Sequence, residues 1–409
     1  MKFFQVKSVE ETYQLIEEKV KPLVEKINIP LLDALHYVLA EDIVTKENVP
    51  NFRRSSVDGY ALRAEDTFGA SESMPGFLSV VGEVRMGQEV TTAVNFGEAI
   101  YVPTGGMVPD ECDAVIMIEH CEDLSGLLNV YRQVTPGENV IGIGEDVRMG
   151  ELLLPKGRRL RSQELGALAA QGITDVTVWR KPVVGYLSTG DEIVPMNVPH
   201  LQIGEVRDIN VMTIGSIVRD SGHIFQYAGI VSDNVEDLTK SMKEWFDKVD
   251  FLVLSGGSSV GTKDHSMEVI ESLGKPGVFV HGVAIKPGKP TIIAAADGKP
   301  VLGLPGHPAS AMIIFQLFGI HILQCLQGVK PFVPECLKAE ITKNIPSAPG
   351  RTDFVRVSLK NKDGKWLAEP IFGKSGLLST LVKSDGLVKI PSPSEGMTKG
   401  TIVHVRLFK

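Results

Sequence analysis

The sequence predicts an α/β multidomain protein: a three-layer α/β/α domain with a mostly parallel sheet, a β-rich N-terminal module and a small C-terminal β-barrel or sandwich. Three patterns carry this. After Pro182, continuous apolar runs alternate with amphipathic helical stretches, the mark of a parallel sheet covered on both faces. Between Phe77 and Leu154, short β-like runs alternate with Gly, Pro and Asp turns, and beyond Pro331 an apolar/polar alternation returns between prolines.

Taken in order, Ser8 and Glu11 form a capping box ahead of Val9, Tyr13, Ile16 and Val20 at helical spacing. A second helix is expected over Leu31 to Ala40, after Pro30. The β-rich module is read from Leu78–Val81, Ala99–Val102, Ala114–Ile118 and Leu128–Tyr131, and a short helix from Ser162 to Ala170. The βα region pairs strand-like Val183–Leu187 with helical Asn210–Asp220, Ile224–Ile230 with Val235–Lys248, and Phe251–Leu254 with Ser266–Leu273. The final module alternates over Ala339–Ile341, Asp353–Leu359, Leu387–Ile390 and Thr401–Leu407.

At 409 residues the chain exceeds one ordinary core. Its 43% apolar and 22% charged residues are those of a soluble globular protein. A net charge of −8 argues against general nucleic-acid binding, which needs a basic surface. The four cysteines form no C-x-x-C pair, so a reduced, cytoplasmic compartment is expected. No basic segment followed by an apolar one marks a signal peptide. The longest apolar stretch, Ala309 to Leu326, is interrupted by Gln316, His321 and Gln324 and reads as a buried core helix.

Chemistry concentrates at the ends of the predicted strands, where ligands of open α/β sheets sit. Ser255-Gly256-Gly257 opens a hydroxyl-rich loop that runs to Asp264. Lys286-Pro287-Gly288-Lys289 and Pro305-Gly306-His307-Pro308 follow, the latter at the mouth of a helix. Glycines admit backbone N–H groups to an anion, a helix N-terminus adds positive partial charge, and the lysines add full charges. This combination fits a phosphate ester or a tetrahedral oxyanion. Asp264 either places a divalent cation beside that anion or caps the helix from Ser266. Ser188-Thr189-Gly190-Asp191-Glu192 presents two adjacent carboxylates, one of which faces the cleft, and Asp233 adds a third acid at the same edge. No G-x-S-x-G elbow exists for a serine hydrolase.

The ordered motifs Ser56-Val57-Asp58-Gly59-Tyr60-Ala61, Pro103-Thr104-Gly105-Gly106-Met107-Val108-Pro109, Gly144-Glu145-Asp146, Ser188 to Glu192, and the loops from Ser255 to Pro308 resemble the molybdopterin molybdenumtransferase (MoeA/gephyrin E-domain) family over nearly the whole chain. The resemblance implies an enzyme that inserts molybdate into adenylylated molybdopterin with Mg²⁺, releasing molybdenum cofactor and AMP. Activity or metal handling is implied for Asp58, Thr104, Asp146, Glu192, Asp233 and Asp264, with Glu192 and Asp264 at Mg²⁺. Substrate and molybdate contacts are implied for Ser255, Gly256, Gly257, Lys286, Pro287, Lys289, Pro305, Arg351 and Ser375. A homodimer is implied, its cleft combining the α/β domain of one subunit with the β-rich module of the other. Transient partners would be a molybdopterin adenylyltransferase and apo-molybdoenzymes, with no nucleic acid and no membrane.

The implied domains are residues 1–45 with 140–180 as an elongated linker, 46–139 as the β-rich insertion, 181–330 as the molybdopterin-binding α/β domain and 331–409 as the barrel. The first helix is a candidate to pack on the α/β domain. Two other readings stand beside this one: a molybdopterin adenylyltransferase, for which the flanking modules would be superfluous, and a non-catalytic scaffold that carries cofactor or binds a receptor.

Overall fold

A computed structural model describes residues 6–256, 266–329 and 335–408. The chain divides into two compact units. One comprises Met1–Ile27, His36–Val38 and Thr177–Lys409, the other Asn28–Leu35 and Leu39–Val176.

The larger unit is built on a six-stranded sheet. Val183–Thr189 lies between Ile224–Val231 and Phe251–Ser255, and Phe251–Ser255 pairs in turn with Lys299–Leu304, all in parallel. Ile292–Ala296 and Pro276–His281 extend that edge antiparallel, so the sheet is mostly parallel. The register aligns Ser188 with Ser255 and Ser255 with Leu304. The loops after all three strands therefore leave the sheet at one edge.

Strand residues alternate between two cores, as a pleat requires. Val184, Tyr186, Phe251, Val253 and Leu302 face Val211, Ile214, Val218 and the apolar side of Pro308–Leu326. Leu187, Leu252, Leu254 and Val301 face Leu238, Met242 and Phe246. Those last three recur every fourth residue along Val235–Lys248, whose start is capped by the Asn234 side chain accepting from the Glu236 and Asp237 N–H groups. At the amino edge, Arg180 grips Asp250 through two bonds of 2.8 and 2.9 Å, and Asp250 also accepts the Val183 N–H. The N-terminal helix Val9–Lys19 has the expected capping box at Ser8 and Glu11 and buries Val9 and Ile16 in the first of these cores.

The stretch Pro308–Leu326 is long and apolar enough to cross a bilayer by composition, but Ile313, Ile314, Phe315, Phe318, Ile322 and Leu323 are completely buried in the core. Its middle, Phe315–Gly319, is wound as a π-helix, a feature the apolar periodicity did not announce.

The same unit ends in a closed barrel of five strands. Thr352–Lys362 pairs with both Lys365–Pro370 and Gly386–Ile390; Cys336–Ile341 and Ile402–Leu407 complete the ring. Ala339, Ile341, Val357, Ala368, Val388, Ile390 and Val405 fill it. A sixth segment, Ile285–Lys286, leaves the α/β layer and lies parallel to the barrel strand, Ile285 opposite Thr352 and Lys286 opposite Asp353.

The smaller unit carries a six-stranded sheet in the order Ala114–Met117, Gly59–Leu62, Glu98–Val102, Gly76–Glu83, Leu127–Val130, Cys121–Asp123. Tyr60, Leu62, Leu78, Ile116, Leu128 and Val130 form its core. One expectation fails. The helix predicted over Leu31 to Ala40 is a single 3₁₀ turn, Leu31–Asp33, followed by the two-residue strand Val38–Leu39. His36 adopts a left-handed backbone (φ 67°), which a right-handed helix excludes, and the Leu39 N–H bonds to the Arg158 carbonyl rather than to Leu35.

The Phe315–Gly319 turn and the sheet share one core, so truncating Phe318, which is fully buried there, tests it. Phe318→Ala should cost about 3–5 kcal/mol of stability. Urea unfolding followed by tryptophan fluorescence checks this; a loss below about 1 kcal/mol would show that the helix contributes little to the core.

Candidate functional site

The lysine loop, the Pro305 turn and two barrel segments enclose a cavity of about 860 Å³. Lys286, Pro287, Lys289, Pro305, Arg351 and Ser375 all line it. These residues lie up to 89 positions apart in the chain (Lys286 to Ser375), and the pairing of Ile285–Lys286 with Thr352–Asp353 is what joins them. The lysine loop is tightly held: the Lys289 carbonyl accepts the Val283 N–H at 3.0 Å, and the Thr291 hydroxyl donates to the Gly288 carbonyl at 2.6 Å. Gly288 stands at φ 107°, and a Cβ there would overlap the Ile314 side chain. Only glycine fits both conditions.

Ser375 arrives by a different route. Its carbonyl accepts the Ala309 N–H at the start of the long helix. Buried Arg356 holds the segment from behind, donating to the Thr380 hydroxyl at 2.5 Å and to the Gly373 carbonyl at 2.9 Å. Lys374 and His307 add further polar groups to the lining. Between two of the three predicted cations, Lys286 and Arg351, sits a carboxylate that sequence reading missed. Asp353, whose side chain is 4% exposed, accepts from Arg351 Nε at 2.9 Å and lies 3.9 Å from Lys286 Nζ.

At the carboxyl edge of the parallel sheet, Ser255 is buried and Gly256 takes φ 106°, where a Cβ would overlap the Thr189 carbonyl oxygen. Asn210 ties this loop to the Pro305 turn: its amide donates to Ser255 Oγ at 3.1 Å and to the Gly306 carbonyl at 2.8 Å. Buried Asp208 accepts from the hydroxyls of Ser188 (2.6 Å) and Tyr227 (3.0 Å). Neither Asn210 nor Asp208 was singled out from sequence, because their partners come from other strands. Beside them, Thr189 donates to Asp233 at 2.6 Å and Asp191 accepts the Asp233 N–H at 3.2 Å. Glu192 is exposed on the same loop. Gly257 and Asp264 lie outside the described residues.

Asp191, Glu192 and Asp233 are exposed carboxylates, individually hard oxygen donors. That chemistry suits Mg²⁺, which takes one or two carboxylates and completes its shell with water and substrate oxygens. Among the described residues, no three His, Cys, Asp or Glu side chains converge as a preformed metal cage. Thiol chemistry is disfavoured at three of the four cysteines: burial pushes the Cys112 and Cys121 thiols up to about 12 and the Cys325 thiol up to about 11.

In the smaller unit, Asp58 and Thr104 meet. Asp58 Oδ1 accepts from the Thr104 N–H at 2.6 Å and from its hydroxyl at 2.9 Å. The two bonds hold the Asp58 carboxyl below its ordinary range, the backbone donor contributing most. Asp146 is exposed on a turn whose backbone bonds to Val49.

Glycine loops at the sheet edge and a cation-lined cavity against a barrel make up the site. Family comparison defines the class of protein. Residues 7–172 match the MoeA N-terminal region (domain I and II), 185–324 the "Probable molybdopterin binding domain", and 338–408 the MoeA C-terminal region (domain IV). The chain belongs to the MoeA family. A Methanocaldococcus jannaschii protein is 35% identical over 398 residues, 93% of this chain and 92% of its own length. The molybdopterin molybdenumtransferase of Bacillus subtilis is 33% identical, covering 93% and 89%. The crystal structure of the Pyrococcus horikoshii OT3 molybdopterin biosynthesis MoeA protein superposes with a TM-score of 0.86 at 32% identity, covering 99% of this chain and all of that one.

Thr104→Ala removes the hydroxyl donor to Asp58 and keeps the backbone one. Because both bonds favour the ionised form, Asp58 should then protonate at higher pH than in the wild type. Carboxyl-carbon NMR titration reads this; an unmoved Asp58 resonance would deny the hydroxyl any part in holding the charge.

Proposed function

We propose that this chain is a molybdopterin molybdenumtransferase that inserts molybdate into adenylylated molybdopterin and releases molybdenum cofactor and AMP. The observation that carries the reading is the meeting of Lys286, Lys289, Arg351 and Ser375 in one cavity. Molybdate is a doubly charged tetrahedron, and two kinds of cation with a hydroxyl donor match its charge and its acceptor oxygens. An oxyanion held there would meet the dithiolene of a bound pterin without the entropic cost of a bimolecular encounter.

Ser255, Gly256 and the Pro305 turn, cross-linked by Asn210, supply the neighbouring place for the phosphorylated end of the substrate. Glu192, with Asp264, would hold Mg²⁺, which when bound offsets charge on the pyrophosphate-like linkage. Asp233 is held by Thr189 and Asp191, and Asp58 stays ionised against Thr104. Both carboxylates are thus kept in defined orientations. The same reading has the protein act as a cytoplasmic homodimer. It would take its substrate from a molybdopterin adenylyltransferase and pass the product to apo-molybdoenzymes.

The test is incubation with adenylylated molybdopterin and Mg²⁺, with and without molybdate, following AMP and the reconstitution of an apo-molybdoenzyme. AMP release and reconstitution should both depend on molybdate. Adenylylation of molybdopterin from ATP with no molybdate requirement would instead make this an adenylyltransferase. Lys286→Ala should raise the half-saturating molybdate concentration by about tenfold while pterin affinity stays within about twofold; an unchanged molybdate dependence would remove Lys286 from the oxyanion site.

A further inference from the structure

The cavity contains a group that an anion site should avoid, a carboxylate. Asp353 is almost fully buried, yet both of its oxygens face cations that line the cavity. Its position is a product of register. Arg351 lies two residues earlier, at the bend that leads into the strand, from which its Nε reaches Asp353, and Lys286 is directly opposite in the parallel pairing. Arg351 uses only Nε on Asp353, and among the described residues no bond engages its two terminal nitrogens. Those are the pair with which a guanidinium grips an oxyanion bidentately. That one Nε bond leaves both terminal nitrogens available and gives the guanidinium a defined anchor. Lys286, 59% exposed at the side chain, faces the other oxygen across 3.9 Å, so Asp353 attracts its charge by an ion pair and not by a hydrogen bond.

On the molybdate reading above, we propose that Asp353 is a positioning and specificity-determining residue for oxyanion capture. Its carboxylate draws the Lys286 and Arg351 charges toward its two oxygens and so opposes their closing together, which favours molybdate over sulfate, the smaller tetrahedral dianion. The carboxylate also lowers the net positive charge of the cavity. Raw attraction for any dianion is thereby reduced, and geometry decides which one stays. Specificity is obtained by withholding affinity from the competitor.

Isothermal titration of the full chain with sodium molybdate and, separately, sodium sulfate tests this without requiring turnover. Wild type should prefer molybdate. In Asp353→Asn, sulfate should bind more tightly and the sulfate-to-molybdate ratio of dissociation constants should fall about tenfold. A purely structural role would lower the melting temperature and leave that ratio unchanged, and this outcome overturns the inference. If the asparagine variant does not fold, Asp353→Glu keeps the charge but displaces the cations, and the ratio should still fall; an unaltered ratio there is equally contrary. A wild-type protein that binds molybdate without preference over sulfate defeats the inference alone, whereas one that binds neither anion defeats the molybdate reading together with it.

Discussion

A two-residue backbone pairing carries the site. Ile285–Lys286 leaves the α/β layer and lies along Thr352–Asp353 at the start of a barrel strand. The Thr352 N–H reaches the Ala284 carbonyl at 2.8 Å. Without that pairing Lys286 would belong to a surface loop and Arg351 to a barrel rim. With it, both cations share a wall and one buried carboxylate. Hydrogen bonds between backbones are well suited to this task because they set register, and register sets which side chains share a face. The cost of burying Asp353 is met by the two cations it faces, a balance that breaks if either is removed.

The second constraint is the parallel sheet. Three strands ending in register deliver Thr189, Ser255 and Leu304 to one edge, and two of the loops beyond them are linked through a single asparagine. Asn210 opens a helix while its side chain spans Ser255 and the Gly306 carbonyl. Helix and both loops are therefore cross-linked at the sheet edge. The cation-lined cavity borders this edge because the Pro305 turn serves both.

Much of this was legible in the residues. Apolar runs separated by amphipathic stretches located Val183–Thr189, Asn210–Asp220, Val235–Lys248 and Phe251–Ser255 with little error, since burial on both faces leaves a continuous signature. Lys286 and Lys289 stood out by their prolines and glycine. Arg351 and Ser375 did not: each looks ordinary on a barrel segment, and only the family resemblance marked them. Asp353 was invisible for a physical reason. In an alternating strand its neighbours predict a solvent-facing polar residue, and one of the two cations it faces comes from 67 positions earlier (Lys286 to Asp353). The failed helix after Pro30 has the opposite cause, a local apolar pattern overruled by the left-handed backbone at His36.

The central claim is that one cavity, walled by the lysine loop and the barrel, receives the inorganic dianion. Crystals soaked with molybdate or tungstate and measured at the metal's absorption edge would place the heavy atom directly. The account predicts a single anomalous peak within hydrogen-bonding reach, through its oxygens, of Lys286, Arg351 and Ser375. A peak at the Ser255–Gly256 loop with an empty cavity would contradict it.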